Sequence, residues 1–481
     1  MKKLVALALA LAMLLSCAAA LADIGTPDAP VKVTYLLKDM PADNEAGQAF
    51  CKAVNEKLAE QGIYVELTFI DSPAGKYIDV MPIAVINEAI SADLYWYQSN
   101  TEVTAADQGF LEDMTAIIAG SENLQSIMGE HDKVRLANSP YLLWATNLPS
   151  YTPVLRGDWA KKLPSYEALT ADPTVDNWVA LLKDLKGEGF STYPITFYGS
   201  HGNLDSIFGA AFGVTTTLVK QDDGTWVYKQ VTDGMKNLLA FYHQLYVDNL
   251  IDPEYLTNTW DVAEEKFYSG TSAMLIGKAG AIVDVYDTQI QNTQGADAAL
   301  VILPPAKSDL GQAYSAIDTS KEERGIALSA DSKNKEAVAA IIDFMASPEG
   351  RVLDLYGVEN VHYTIEDGKL VPIEGAGEWY STFFDSLLNI DKIPYEADAP
   401  LGAAGLKSLD MAAEYFVADN KVNLPSEYAA YWDAMSNLFN EYAVDVIRGD
   451  KNTESDWDAF VTAWNANGGT IISEYLATVM K

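Results

Sequence analysis

The stretch Glu265–Gly280, EKFYSGTSAMLIGKAG, decides how the rest of the chain is read. Phe267 and Tyr268 close what reads as a helix end, and Gly270 follows. A small, apolar run from Ser272 to Ile276 then stops at the loop Gly277-Lys278-Ala279-Gly280. The run is short and flanked by glycines, so it predicts a buried strand rather than a helix. So late a strand, leading into a flexible loop, is expected to return to a sheet begun earlier in the chain. That expectation means two lobes with a cleft between them.

The earlier sheet is visible upstream. Val31–Asp39 (VKVTYLLKD) alternates and starts β-branched, Tyr64–Asp71 (YVELTFID) repeats the pattern, and Ala92–Tyr97 (ADLYWY) is a third strand. Helices are predicted between them, from about Ala46 to Gln61, with Phe50, Val54 and Leu58 inward, and from about Tyr77 to Ile90. Strand, helix, strand, helix, strand in one run requires parallel pairing with helical crossovers, the α/β class. Ligands of such sheets sit beyond the carboxyl ends of the strands. Those ends are Lys38–Asn44, Asp71–Lys76 and Tyr97–Glu102.

Downstream, Pro140–Asn147 (PYLLWATN) reads as a strand that Val154–Asp158 continues, and the first crossing between lobes is expected there. A helix at Thr174–Leu185, a strand at Tyr193–Tyr198, a loop at Gly199–Asn203, a hairpin about Asp222-Asp223-Gly224 and a helix at Gly234–Asn249 follow. Ala298–Leu303 and Gly325–Leu328 are expected as further strands of the first lobe. Lys335–Met345 reads as a helix, with a second return near Pro348. Tyr363–Val371 is a hairpin turned by Asp367-Gly368. The remainder is mostly helical, including Ser426–Arg448, Ser455–Asn465 and Thr470–Met480. The expected division is a signal segment at 1–22, a first lobe of 23–145 with 271–346, and a second of 146–270 with 347–481.

The amino terminus carries Lys2 and Lys3, an apolar run from Leu4 to Leu15, and small residues ending in Ala20-Leu21-Ala22, the order of a secretory signal peptide. Leu14-Leu15-Ser16-Cys17 also resembles a bacterial lipobox, which would leave Cys17 lipidated. Cleavage after Ala22 is favoured, and either route predicts a secreted or cell-surface protein. Cys51 then has no partner, so no internal disulfide is expected. The mature chain, roughly 460 residues, is long enough for two or three domain-sized cores. The full sequence, with 32 basic and 68 acidic residues, has a formal charge of -36, which disfavours nucleic acid and anionic lipid as partners.

The order of VKVTYLL, YVELTFID, ADLYWY and GFLEDMT resembles the bacterial extracellular solute-binding proteins of carbohydrate ABC importers, the class containing the maltose-binding receptor. FYSGTSAMLIG, LPPAKSDLGQ and KNKEAVAAIIDFMASPEGRVLDLYGVENVHYTIEDGK are similar to the longer lipoprotein or aldouronate-type subgroup. The resemblance implies an α/β, two-lobe periplasmic-binding-protein-like fold with multiple hinge crossings, of the maltose-binding type II arrangement. It implies a sugar or oligosaccharide ligand in the interlobe cleft, permease subunits in the membrane and an ATPase as partners, and no cofactor. A monomer is expected. Members of the subgroup often carry a calcium-like loop after the helix that begins near Thr174. This chain has KGEGFSTYP there, so no calcium is expected.

A sugar ring offers an apolar face and a hydroxyl rim, and its site needs flat aromatics with carboxylates and amides. Tyr97, Gln98 and Asn100 follow a parallel strand, Trp144 lies near the first crossing, and Trp260 precedes the opening stretch. Lys278 and Asp284 flank the loop that the resemblance turns toward the cleft. Asp39, Asn44, Tyr198, His201, Asn203 and Tyr314 complete the candidates, chosen by position beside strand ends or crossings. Trp159, Trp178, Trp379, Trp432, Trp457 and Trp464 fit helical spacing and are assigned to packing.

Catalysis has little support. The histidines, at 131, 201, 243 and 362, form no metal-binding pair, and no nucleophile elbow, phosphate loop or dinucleotide fingerprint occurs. With carboxylates so abundant, a secreted carbohydrate-active enzyme stays open as an alternative, as does a cell-surface adhesion or sensor module. The five arginines, at 135, 156, 324, 351 and 448, favour a neutral sugar over an acidic one.

Overall fold

Strand β1 (Val31–Leu36) pairs in parallel with β2 (Val65–Phe69) on one side and β3 (Leu94–Gln98) on the other. The computed structural model describes residues 24–38, 40–98, 101–144, 150–319, 324–376, 383, 393–397, 401–422 and 424–480. These fall into two units, 24–144 with 324–397, and 150–319 with 401–480. In the first unit, helix Glu45–Glu60 joins β1 to β2. Asn44 caps it, its side-chain oxygen accepting the Gly47 N–H at 2.8 Å. Phe50, Val54 and Leu58 are buried, each contributing roughly 1.5–3 kcal/mol of apolar burial. Cys51 shares that burial as a free thiol, pushed up to about 12.

The second unit has its own sheet. Its strands are β4 (Tyr151–Arg156), β5 (Tyr193–Thr196), β8 (Ser272–Lys278) and β9 (Leu300–Ile302), and a separate hairpin joins β6 (Leu218–Lys220) to β7 (Trp226–Tyr228). The order is β5-β8-β4-β9, with β5 parallel to β8 and β4 antiparallel to its neighbours. Helices Val175–Gly187, Asp233–Val247, Ala429–Arg448 and Thr453–Trp464 cover a core that includes Trp178, Leu182, Leu239, Tyr442, Phe460 and Trp464. Trp457 is buried in it, and Trp159 and Trp432 pack on its margin, so these tryptophans serve packing; Trp379 lies outside the described residues.

The chain returns to the first unit with β10 (Arg324–Leu328), which adds antiparallel to β3 and completes the order β10-β3-β1-β2. Helices Lys335–Ala346 and Pro348–Tyr356 and the hairpin of β11 (Tyr363–Glu366) and β12 (Lys369–Pro372) belong to the same unit.

Several expectations are corrected. Ser272–Ile276 is a buried strand, but β8 lies between β5 and β4 in the second unit and does not return to the first sheet. Ala298–Leu303 likewise gives β9 beside β4. Residues 271–319 therefore belong to the second unit, and residues 348–376 to the first. The reason is that an apolar strand buried on both faces carries no mark of its neighbours. Pro140–Trp144 is no strand either, but a turn with one bridge, Leu143 to Ile326; residues 145–147 lie outside the described residues.

Candidate functional site

In the second unit, β5 and β8 are parallel, and β4 runs against β8 with Tyr151 opposite Lys278. The carboxyl ends of β5 and β8 and the start of β4 thus share one sheet edge, the edge at which α/β sheets hold ligands. Tyr198 stands two residues beyond β5. The turn after β8 is fixed by the Ala279 N–H donating to the Ser150 carbonyl at 2.9 Å and the Gly280 N–H to the Ser408 hydroxyl at 2.8 Å. Gly280 takes φ +89, and helix Ala281–Gln294 then brings Tyr286 beneath the edge.

Helix Trp260–Tyr268 supplies the remaining side chains. Its Trp260, Glu264 and Tyr268 fall at i, i+4 and i+8 on one face. Trp260 is 41% exposed, and its indole N–H donates to the Tyr286 hydroxyl at 2.7 Å. The Tyr268 and Tyr286 rings meet edge to face with centroids 6.4 Å apart, and the Tyr268 hydroxyl hydrogen-bonds to Glu264. Burial, with the neighbouring Asp261 charge, raises the Glu264 carboxyl above its ordinary range. Burial also raises the Tyr198, Tyr268 and Tyr286 phenols, which remain protonated donors at neutral pH.

A buried polar knot holds this helix to the end of β5. The Lys266 ammonium donates to Asp252 at 2.8 Å, Glu254 at 2.8 Å and the Asn258 side-chain oxygen at 2.9 Å. Asp252 also accepts from Thr196 and Asn258, each at 2.8 Å, and Asn258 donates to the Phe197 carbonyl at 3.0 Å. Burial alone would raise the Asp252 carboxyl, but the bonds from Lys266 and Asn258 outweigh it and hold the group below its usual range.

The corresponding edge of the first unit is the carboxyl end of β3. Arg324, the first residue of β10, lies opposite Gln98. Its guanidinium is 4.2 Å from the centroid of the half-buried Trp144 ring, which packs on Trp96 at 4.8 Å.

The predicted residues therefore divide. Tyr198, Trp260, Lys278 and Asp284 gather at the edge of the second unit, where Asp284 accepts the Gly402 N–H at 2.7 Å. Gln98 and Trp144 share the edge of the first. Asn203 shapes the loop after β5 by donating to the Tyr198 and Ser200 carbonyls at 3.0 Å.

Four others are structural. Tyr97 is fully buried, its hydroxyl 2.8 Å from that of Thr101. Tyr314 is buried and donates to the Leu303 carbonyl at 2.8 Å. His201 is buried against Phe439, and Asn44 is spent on the helix cap. Asp39, Asn100 and Cys17 lie outside the described residues. Sequence reasoning missed Tyr151, Glu264, Tyr268, Tyr286 and Arg324. The Trp260, Glu264, Tyr268 spacing was a signal for two of them.

The half-exposed aromatics, protonated phenols and carboxylates of this edge can hold a polyhydroxylated ring. Among the described residues no cluster of three His, Cys, Asp or Glu side chains could hold a metal ion. The first unit also has grooves of about 510 Å³ against β2 and about 660 Å³ beside helix Pro348–Tyr356; neither is lined by Gln98, Trp144 or Arg324.

The profile of the bacterial extracellular solute-binding proteins matches residues 39–352. The chain belongs to that family. Solved structures similar to this solute-binding protein include an extracellular solute-binding protein from Bifidobacterium longum subsp. infantis, with TM-score 0.65, 14% identity, and 94% of this chain and 98% of that one covered. The N-glycan transport solute binding protein NgtS from Streptococcus pneumoniae gives TM-score 0.63 at 15% identity, covering 92% and 96%. The alginate-binding protein AlgQ2 without calcium ion gives 0.61 at 16%, covering 94% and 98%. These likenesses establish the fold of this solute-binding protein as the α/β periplasmic-binding-protein type. A curated relative, an uncharacterized protein in the butB 5'region of Niallia circulans, is 24% identical over 255 residues, 49% of this chain and 95% of that one. Among the described residues no helix of this solute-binding protein is long and apolar enough to cross a membrane.

Proposed function

We propose that this protein is a non-enzymatic receptor that captures a sugar or oligosaccharide outside the cell and delivers it to an ABC importer. The observation that carries this reading is the edge formed by Tyr151, Tyr198, Trp260 and Tyr286. Tyr151 and Trp260 are 40% and 41% exposed there. Exposed aromatic planes beside hydroxyls and a carboxylate match the apolar face and hydroxyl rim of a sugar. Family membership supports an extracellular solute as ligand, and the descriptions of the structural neighbours as N-glycan transport and alginate-binding proteins support a glycan. Lys2, Lys3 and the apolar run to Leu15 support export, with cleavage after Ala22 or lipidation at Cys17 as its two forms. Placement in the longer, lipoprotein-type subgroup belongs to the same proposal.

The test is titration calorimetry of the mature protein against a glycan panel, with product analysis of each mixture. Saturable binding without turnover is the expected result. Conversion of a glycan would establish the carbohydrate-active enzyme in its place.

A further inference from the structure

We infer that Glu264 is a specificity-determining residue that makes the edge of the second unit select neutral glycans and reject uronic acids. The inference rests on the carbohydrate reading above and deepens it.

Glu264 is half-buried between Trp260 and Tyr268 on one helix face, and Tyr268 donates to it. Tyr268 meets Tyr286 edge to face at 6.4 Å and Trp260 bonds to Tyr286 at 2.7 Å, so the helix face that carries Glu264 is the one that meets the aromatic wall, whereas Asp284 at the same edge accepts the Gly402 N–H at 2.7 Å. A neutral sugar can donate hydroxyl hydrogens to that carboxylate, whereas a uronate brings a second anion against it.

No arginine of this unit stands there to compensate. Arg156 ends β4, at the far end of the strand from Tyr151, and pairs with Asp158 at 2.9 Å. Arg448 ends a helix and faces Asp450 at 3.8 Å. Lys266 is committed to Asp252, Glu254 and Asn258. Lys278 is the cation that shares the edge with Tyr151, and it is the competing determinant. Two anions within a few ångströms in a half-buried setting disfavour binding by about tenfold or more.

The experiment measures dissociation constants for neutral and uronate oligosaccharides of equal length against wild type, Glu264→Gln, Glu264→Ala and Lys278→Met, with circular dichroism on each variant. Wild type is expected to bind the neutral set at least about tenfold more tightly. Both Glu264 variants are expected to narrow that ratio about fivefold or more by gaining uronate affinity. A ratio unchanged in both, or a wild-type uronate preference abolished by Lys278→Met, overturns the inference and leaves the carbohydrate reading standing. Binding of neither set overturns both.

Discussion

The indole N–H of Trp260 and the hydroxyl of Tyr286 lie 2.7 Å apart, joining two helices whose contact residues are 26 positions apart in the chain. The bond fixes the exposed indole plane against a buried phenol, so the wall is oriented before a ligand arrives. Tyr286→Phe is expected to remove the acceptor and destabilise the fold by about 1 kcal/mol. Ligand affinity should fall several-fold. Trp260→Ala should lose about tenfold or more with the aromatic plane. Calorimetric titration with thermal unfolding separates the two effects, and full affinity in Trp260→Ala would remove the indole from the site.

Gly277 is the point where β8 passes under that wall. A Cβ there would stand 2.6 Å from a Tyr286 ring carbon, closer than real Cβ contacts come. Gly277→Ala is therefore expected to displace the Tyr286 ring and weaken its bond to Trp260. Tryptophan emission should shift and affinity should drop, while circular dichroism stays that of an α/β protein.

Lys266 neutralises Asp252, whose side chain is fully buried. Lys266→Met leaves that carboxylate without its cation, and a stability loss of about 3 kcal/mol is expected. Adding Asp252→Asn should restore part of it. Urea unfolding of the three variants checks the coupling, and an additive double variant would show that the pair does not interact.

His131 sits in the first unit with Asp132 and Arg135. Burial, then the Arg135 charge, pushes its imidazole down to about 4. It is therefore neutral in the folded chain and binds a proton first when unfolded. Its contribution is complete above the unfolded value near 6.5 and is lost as pH falls toward 4, on the order of 3 kcal/mol. Denaturant unfolding from pH 7 to pH 4 should show this loss in wild type beyond that in His131→Gln, and equal slopes would contradict it.

The local elements were legible because their signals are short-range. Phe50, Val54 and Leu58 at helical spacing are all buried, and the strands of VKVTYLL, YVELTF and LYWYQ pair in parallel as their helical crossovers require. The candidate site was legible in part. Tyr198 was chosen beside a strand end, Trp260 from its place ahead of Glu265–Gly280 and Lys278 through the family resemblance, and all three fall at the edge of the second unit. Tyr286 was not chosen, since its place beneath Trp260 depends on a helix that begins at residue 281 packing beside one that begins at residue 260. Tyr97 and Tyr314 were misread because a tyrosine beside a strand end looks the same whether its ring meets solvent or core.

By itself the sequence determined the class of the protein: α/β order and a strand at Ser272–Ile276 in a strongly acidic chain. Only the tertiary structure decided which sheet that strand joins. Turn and helix signals act over a few residues, whereas β8 pairs with strands about 80 and 120 residues away, through backbone groups that every residue type presents alike.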